Sequence, residues 1–228
     1  MQVLYIIPAR GGSKGLPNKN IRLLENKPMI AYSIIAAQKS NYKGTIVVST
    51  DSKKIATIAK EYGAEVPFMR PPELASDTAT SMDVIFHAIN YYKERNIHFD
   101  VVVLLQPTSP LRISEDINNA MKKFINENAE AIVGVCEAEH HPLWSNTLPE
   151  NGSMKNFLSE SIKGLNRQQL PIYYRLNGAI FISKTDTLYK EKTFIHENTF
   201  SYIMPNERSI DIDYEIDFRL AELLMKKH

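Results

Sequence analysis

A single cysteine stands in 228 residues, no charge of one sign prevails, and no apolar run approaches the length of a membrane span. The lone Cys136 excludes an internal disulfide framework. It follows the apolar stretch 131–135 and reads as a buried structural residue, not a nucleophile. Lys and Arg number 27 against 26 Asp and Glu. That balance argues against nucleic acid as the main partner and confines any basic patch to a local site. The N-terminus has neither the basic segment nor the apolar core of a signal peptide. Crossing a bilayer takes about 20 apolar residues, so no membrane association and a cytoplasmic location are expected. Repeats and low-complexity segments are also missing. A chain of this length can bury one large core, with an appendage more in keeping than a second equal domain.

Neither common phosphate loop is present. Gly11 to Gly15 does not supply G-x-x-x-x-G-K-[S/T], and glycines at 11, 12 and 15 do not fit G-x-G-x-x-G. What stands there instead is a strand-like apolar run, 3–7, leading into Pro8-Ala9-Arg10-Gly11-Gly12-Ser13-Lys14-Gly15-Leu16-Pro17-Asn18-Lys19-Asn20. Arg10, Lys14 and Lys19 give this loop three positive charges. Its glycines allow a tight turn and close approach to a ligand. Successive free backbone N–H groups in such a turn form an anion nest. The loop suits a triphosphate or a pyrophosphate.

Strand-like runs at 3–7, 45–49, 101–105, 131–135 and 176–182 alternate with helical stretches at 29–38, 53–62, 81–93, 117–125, 185–189 and 214–226. Pro28 is well placed to start the first helix, and Gly63 to end the second. Alternation with continuously apolar strands predicts a doubly wound α/β fold, its mostly parallel sheet covered on both faces. Ligands in such folds sit beyond the carboxyl ends of the strands. The Arg10 loop, Ser49-Thr50-Asp51 and the turn at Gln106 should therefore converge. The pattern breaks after Cys136, where 139–174 holds Trp144, Leu148, Phe157, Leu158 and several prolines but no long amphipathic helix. The α/β domain is accordingly assigned to 1–138 and 175–228, with 139–174 an inserted extension that forms a homodimer. Lys226, Lys227 and His228 read as a solvated helix end that favours the dipole.

Ser209-Ile210-Asp211-Ile212-Asp213 carries the second chemical signal. In extended backbone, residues two apart share a face, so Asp211 and Asp213 project together while Ile210 and Ile212 turn to the core. Two such carboxylates repel unless a cation lies between them, and hard oxygen ligands completed by substrate phosphates suit Mg²⁺. The competing reading has Asp213 cap the following helix, with Asp217 solvated. The run Ser76–Ser81 is first of all a capping sequence. Arg112 is placed to pair with Asp116 on the next helix. Adjacent His140 and His141 cannot readily face one ion, so metal binding there carries little weight.

The run A-R-G-G-S-K-G-L-P-N-K-N resembles the nucleotide-binding signature of the CMP-sialic acid synthetases, the N-acylneuraminate cytidylyltransferases, and the resemblance extends over essentially the whole chain. It implies a Rossmann-like, GT-A-like nucleotidyltransferase fold and transfer of CMP from CTP to the C2 hydroxyl of a nonulosonic acid, with release of pyrophosphate. N-acetylneuraminate is the favoured acceptor. Gly15-Leu16-Pro17 stands where the related CMP-Kdo synthetases carry Arg-Leu-Pro and pseudaminate enzymes tend to carry Arg-Ile-Pro. That leaves legionaminic acid as the nearer alternative and pseudaminic acid as the further one.

By the same resemblance, Arg10, Gly11, Ser13, Lys14 and Asn20 bind the nucleotide, and Arg70, Ser81 and the backbone near Ala79 contact the cytidine nucleotide. Gln106, in Q-P-T-S-P, touches the acceptor sugar. Arg167 lies near the sugar carboxylate and phosphate, with Tyr174 and Asn177 beside it. Asp211 and Asp213 hold the catalytic magnesium, and Lys19 meets charge on the leaving pyrophosphate. The base is either a water on that ion or Asp211. The resemblance also implies an extension that reaches toward the neighbouring subunit's sugar pocket; the esterase domain appended in some family members is not expected. A nucleotide-sensing domain without turnover is the rival class, and the intact Asp211 and Asp213 argue against it.

Overall fold

Leu4 and Ile6 face one way along the first strand and Tyr5 and Ile7 the other, and both sides are buried. This double burial explains why the strand reads as an unbroken apolar run instead of an alternating one. The structure is a computed structural model that describes residues 1–12 and 15–226. In it β1 (Val3–Pro8) lies between β4 (Gly44–Ser49) and β5 (Val101–Leu104), parallel to both. Two further short strands, β2 (Leu23–Leu24) and β3 (Lys27–Pro28), form a separate hairpin before helix α1 (Met29–Lys39). The six-stranded sheet continues through β7 (Tyr174–Lys184), β6 (Ala131–Glu137) and β8 (Thr199–Ile203), in the order β4-β1-β5-β7-β6-β8. β7 runs antiparallel to both its neighbours, while β8 is parallel to β6. The doubly wound, mostly parallel α/β fold expected from the alternation is the fold observed.

Helices α1, α2 (Lys53–Glu61) and α4 (Ser114–Asn126) close the face carrying Tyr5, Ile7, Val48 and Val103. Helices α3 (Ser81–Lys93) and α5 (Thr185–Glu191) close the other, over Leu4, Ile6, Val102 and Leu104. A third, smaller cluster joins Leu16, Leu24 and Met29 to Leu111, Ile212 and Phe218 of helix α6 (Glu215–Met225). Its consequence for the site is direct. Burying Leu16 and Ile212 together brings the loop after β1 against the Asp211–Asp213 segment, although nearly two hundred residues separate them in sequence.

At three places the structure differs from a reading the sequence offers. Arg112 does not hydrogen-bond to Asp116. It is fully buried and donates to the carbonyls of Ala179 (2.7 Å) and Gln106 (3.3 Å) and to Ser33 Oγ (2.5 Å). Burial lowers its pKa to about 10. Asp116 is instead gripped by both arms of Arg208, at 2.9 and 2.8 Å, and accepts the Ile113 amide at the start of α4. The segment holding Asp211 and Asp213 is not a strand: among the described residues it pairs through the Ile212 amide, which donates to the Thr108 carbonyl at 2.8 Å. Asp213 does not cap α6, since the Asp217 carboxylate accepts the amides of Asp213 and Tyr214 at 3.0 and 2.8 Å.

Residues 139–173 contain neither strand nor α-helix, only short 3₁₀ turns such as Pro142–Trp144 and Glu160–Ile162. Trp144, Leu148, Met154 and Ile172 are exposed there. Both ring nitrogens of His141 are engaged, Nε2 with the Pro171 carbonyl and Nδ1 with the Leu143 amide, in keeping with no metal role. Cys136 is buried, as expected. No helix among the described residues is long and apolar enough to cross a membrane. The expectation for Lys227 and His228 lies outside the described residues.

Candidate active site

Parallel pairing puts the carboxyl ends of β1, β4 and β5 on one edge of the sheet. A crevice of about 430 Å³ opens there, large enough for a small-molecule ligand. Its walls come from segments far apart in sequence. The loop after β1 supplies Arg10, Gly15, Lys19 and Asn20; the start of α3 and the residues before it supply Ala79, Thr80 and Ser81; the turn after β5 supplies Gln106 and Thr108. Arg70, Asp211 and Asp213 complete it.

The described residues of the loop show how its glycines are used. Gly11, Gly12 and Gly15 do not adopt the left-handed region; Asn18 does, with φ 55°. Gly15 serves close packing, because a Cβ there would lie 2.5 Å from the Asp213 carbonyl oxygen. The Gly11 amide is not free, since it donates to Asp51 Oδ1 at 2.8 Å. Ser13 and Lys14 lie outside the described residues. Asn20 is buried and donates to the Arg10 carbonyl at 3.0 Å, while its Oδ1 is buried with no donor among the described residues. Buried acceptors are nearly always paired, so this one is open to a ligand or solvent donor.

Each cation in the crevice has an anchor. Arg10 pairs with Asp77 at 2.8 Å. Lys19, only 15% exposed, donates to Asp213 Oδ1 at 2.8 Å and to the Ile212 carbonyl at 3.0 Å. Arg70 is buried, and desolvation lowers its pKa to about 10, with nearby Asp51 opposing that fall and Arg10 adding to it. It stays charged at neutral pH.

Asp211 and Asp213 both line the crevice. Desolvation raises the pKa of Asp211; Asp213 adds to the rise, while Thr108, Lys19 and Arg175 oppose it. Among the described residues no group of three or more His, Cys, Asp or Glu could hold a metal alone. Two carboxylates completed by ligand phosphates are the usual arrangement for Mg²⁺, and this donor set fits it.

The structure brings Arg10, Lys19, Asn20, Arg70, Ala79, Ser81, Gln106, Asp211 and Asp213 to one crevice. Thr80 and Asp83 form the capping box of α3, which leaves Ala79 and Ser81 on either side of the cap to face it. Arg167 is exposed and lies 3.7 Å from Glu137, Tyr174 is exposed, and neither is in the crevice wall. Asn177 is not in the wall either. It is buried, donates to Ser209 Oγ at 3.0 Å and accepts the Ala179 amide at 3.1 Å, and so steadies the segment leading to Asp211. The sequence marks Thr108 only by its place in the turn after β5, and Asp77 only by its place in a capping run.

The chain matches the Cytidylyltransferase family over residues 4–226. It is 39% identical over 233 residues to CMP-N,N'-diacetyllegionaminic acid synthase of Legionella pneumophila, covering 99% of this chain and 97% of that one. It is 43% identical over 221 residues to N-acylneuraminate cytidylyltransferase of Streptococcus agalactiae serotype V, covering 96% of this chain but 52% of that protein. A solved structure of CMP:2-keto-3-deoxy-manno-octonic acid synthetase complexed with CTP has a similar fold, with a TM-score of 0.71 at 15% identity, over 100% of this chain and 99% of the other.

Proposed function

The chain belongs to the cytidylyltransferase family as a CMP-nonulosonic acid synthetase, and we propose that it transfers CMP from CTP to N-acetylneuraminate with Mg²⁺ as cofactor. The observation that carries the site assignment is the meeting of Arg10, Lys19 and Arg70 with Asp211 and Asp213 in one crevice. An in-line displacement at phosphorus needs the reactants aligned and the accumulating charge neutralised, and little else. Arg10 and Arg70 hold the nucleotide phosphates, and Lys19 meets the leaving pyrophosphate. Ala79 and Ser81 face the cytidine, the open acceptor of Asn20 takes a ligand hydroxyl or amine, and Gln106 meets the acceptor sugar. Asp211 and Asp213 would hold Mg²⁺, which when bound polarises the α-phosphate and makes the attacking hydroxyl more acidic. N,N'-diacetyllegionaminate is the second reading, favoured by the relative that matches over almost its whole length. Pyrophosphate release from CTP, measured with a panel of nonulosonic acids, decides between them. No release with any of them would overturn the reading.

Gly15→Ala tests the closeness of loop and carboxylates. The added methyl meets backbone, which cannot yield like a side chain. Overpacking of this kind costs about 1–3 kcal/mol. We expect a folded protein whose CTP affinity in calorimetry falls about tenfold or more, since each 1.4 kcal/mol is a factor of ten.

The exposed apolar residues of 139–174 support the proposal that this extension forms a homodimer, and that Arg167 and Tyr174, outside the crevice of their own chain, serve the sugar site of the partner. Light scattering should give twice the monomer mass at micromolar protein. Trp144→Glu with Phe157→Glu should weaken that species and lower activity with it. A fully active monomer would overturn the proposal.

A further inference from the structure

One short turn holds both arms of the nucleotide cradle without lining the crevice itself. At the end of β4, Ser49 is fully buried. Its hydroxyl accepts from Arg70 Nε at 3.1 Å, and its carbonyl accepts from Arg70 Nη2 and from the Ala9 amide, the latter at 2.9 Å. The next carbonyl, of Thr50, accepts the Arg70 amide at 2.7 Å. Asp51 Oδ1 then accepts the Gly11 amide at 2.8 Å. The turn is itself fixed to α2, because Thr50 Oγ1 accepts the Ser52 amide and Ser52 Oγ caps the helix at Ile55.

We infer that Ser49 and Asp51 are positioning residues for CTP: Ser49 aims the Arg70 guanidinium, and Asp51 pins the start of the phosphate loop through Gly11. The inference rests on reading the crevice as the CTP site. Its physical basis is scarcity of acceptors. Arg70 has left water, so its direction is set by the few oxygens that meet it, and Ser49 supplies two of them. A buried donor stripped of its acceptor turns toward another partner or drags its neighbours with it. Asp51 acts on the loop after β1. By engaging the first glycine amide it removes a donor that the loop would otherwise offer to phosphate, and in exchange fixes the path from Ala9 to Arg10. The sugar side of the crevice, at Gln106 and Thr108, is made by a different turn and touches neither residue.

The two roles separate by substitution. Ser49→Ala should raise the KM for CTP about tenfold, in line with a hydrogen bond to a charged group, while the KM for the sugar stays unchanged. Asp51→Ala, at an exposed position, should raise it about threefold to fivefold. Asp51→Asn, whose amide oxygen still accepts the Gly11 amide, should return it to within about twofold of the parent. Calorimetry with CTP on the same proteins gives the affinity apart from turnover. Parent protein that binds CTP with Ser49→Ala unchanged would overturn the Ser49 assignment. Asp51→Asn as weak as Asp51→Ala would overturn the Asp51 assignment. Equal rises in both KM values would mean that the turn only supports the fold. Parent protein that fails to bind CTP would sink the reading of the crevice itself. Should Ser49→Ala not fold, the Asp51 pair still tests the turn.

Discussion

Asp211→Ala is expected to give a folded protein whose Mg²⁺-dependent pyrophosphate release falls by at least about a thousandfold, corresponding to roughly 4 kcal/mol of lost transition-state stabilisation. The reason lies in the position of the carboxylate. It lines the crevice, where desolvation and Asp213 raise its pKa. A group held there against its own solvation contributes little to folding, so its removal should leave the melting temperature unchanged or higher. Asp213→Ala should cost nearly as much activity, but with a different secondary effect, because it also releases Lys19 from its 2.8 Å contact. The measurement is pyrophosphate release against Mg²⁺ concentration, alongside CTP affinity without metal. Asp211→Ala with near-normal turnover would sink the metal assignment. Lost turnover with equally lost metal-free CTP binding would point to a collapsed crevice instead.

Much of the scaffold was legible because burial on both sheet faces writes itself into sequence as continuous apolar runs. Residues 3–7 and 101–105 were found that way, and the helices between them by their one-sided faces, such as Val84, Ile85, Ala88, Ile89 and Tyr92 of α3. The direction of a strand leaves no such mark. β7 carries a buried apolar stretch at Ala179, Ile180 and Ile182 like those of β5 and β6, and only its partners reveal that it runs antiparallel to both. β8 was missed because it is an edge strand, with Phe200 and Ile203 exposed and no unbroken apolar run. Side-chain partners were the least legible. Asp116 is four residues from Arg112 on paper, yet Arg112 turns into the core toward carbonyls and Asp116 meets Arg208 from 92 residues away. The loop glycines were legible as a site but not in their use: Gly15 makes room for Asp213, and Gly11 spends its amide on Asp51.

Lys19→Ala should lower kcat about a hundredfold or more, the scale of losing a charged contact to a leaving group in a secluded site, and should at the same time tighten divalent-metal binding to the protein without nucleotide. The second effect follows from where the ammonium sits. Lys19 is largely shielded from water and its charge is directed at Asp213 Oδ1 and the Ile212 carbonyl. It occupies one carboxylate of the pair proposed to hold magnesium, and so acts as that carboxylate's resident cation. A metal ion arriving alone must displace it or share the oxygen with a like charge. A triphosphate offers Lys19 another anion, and turning toward it frees Asp213. In the parent protein, CTP should therefore strengthen metal binding, and by reciprocity the metal should strengthen CTP binding. Removing the ammonium abolishes that exchange, so Lys19→Ala should bind Mn²⁺ more tightly in the absence of CTP and gain less from its addition. Electron paramagnetic resonance of free Mn²⁺, with and without CTP, reads both quantities independently of turnover. Unchanged Mn²⁺ affinity in nucleotide-free Lys19→Ala would mean that the Lys19–Asp213 contact does not guard the metal site, and that Lys19 acts on the phosphates alone.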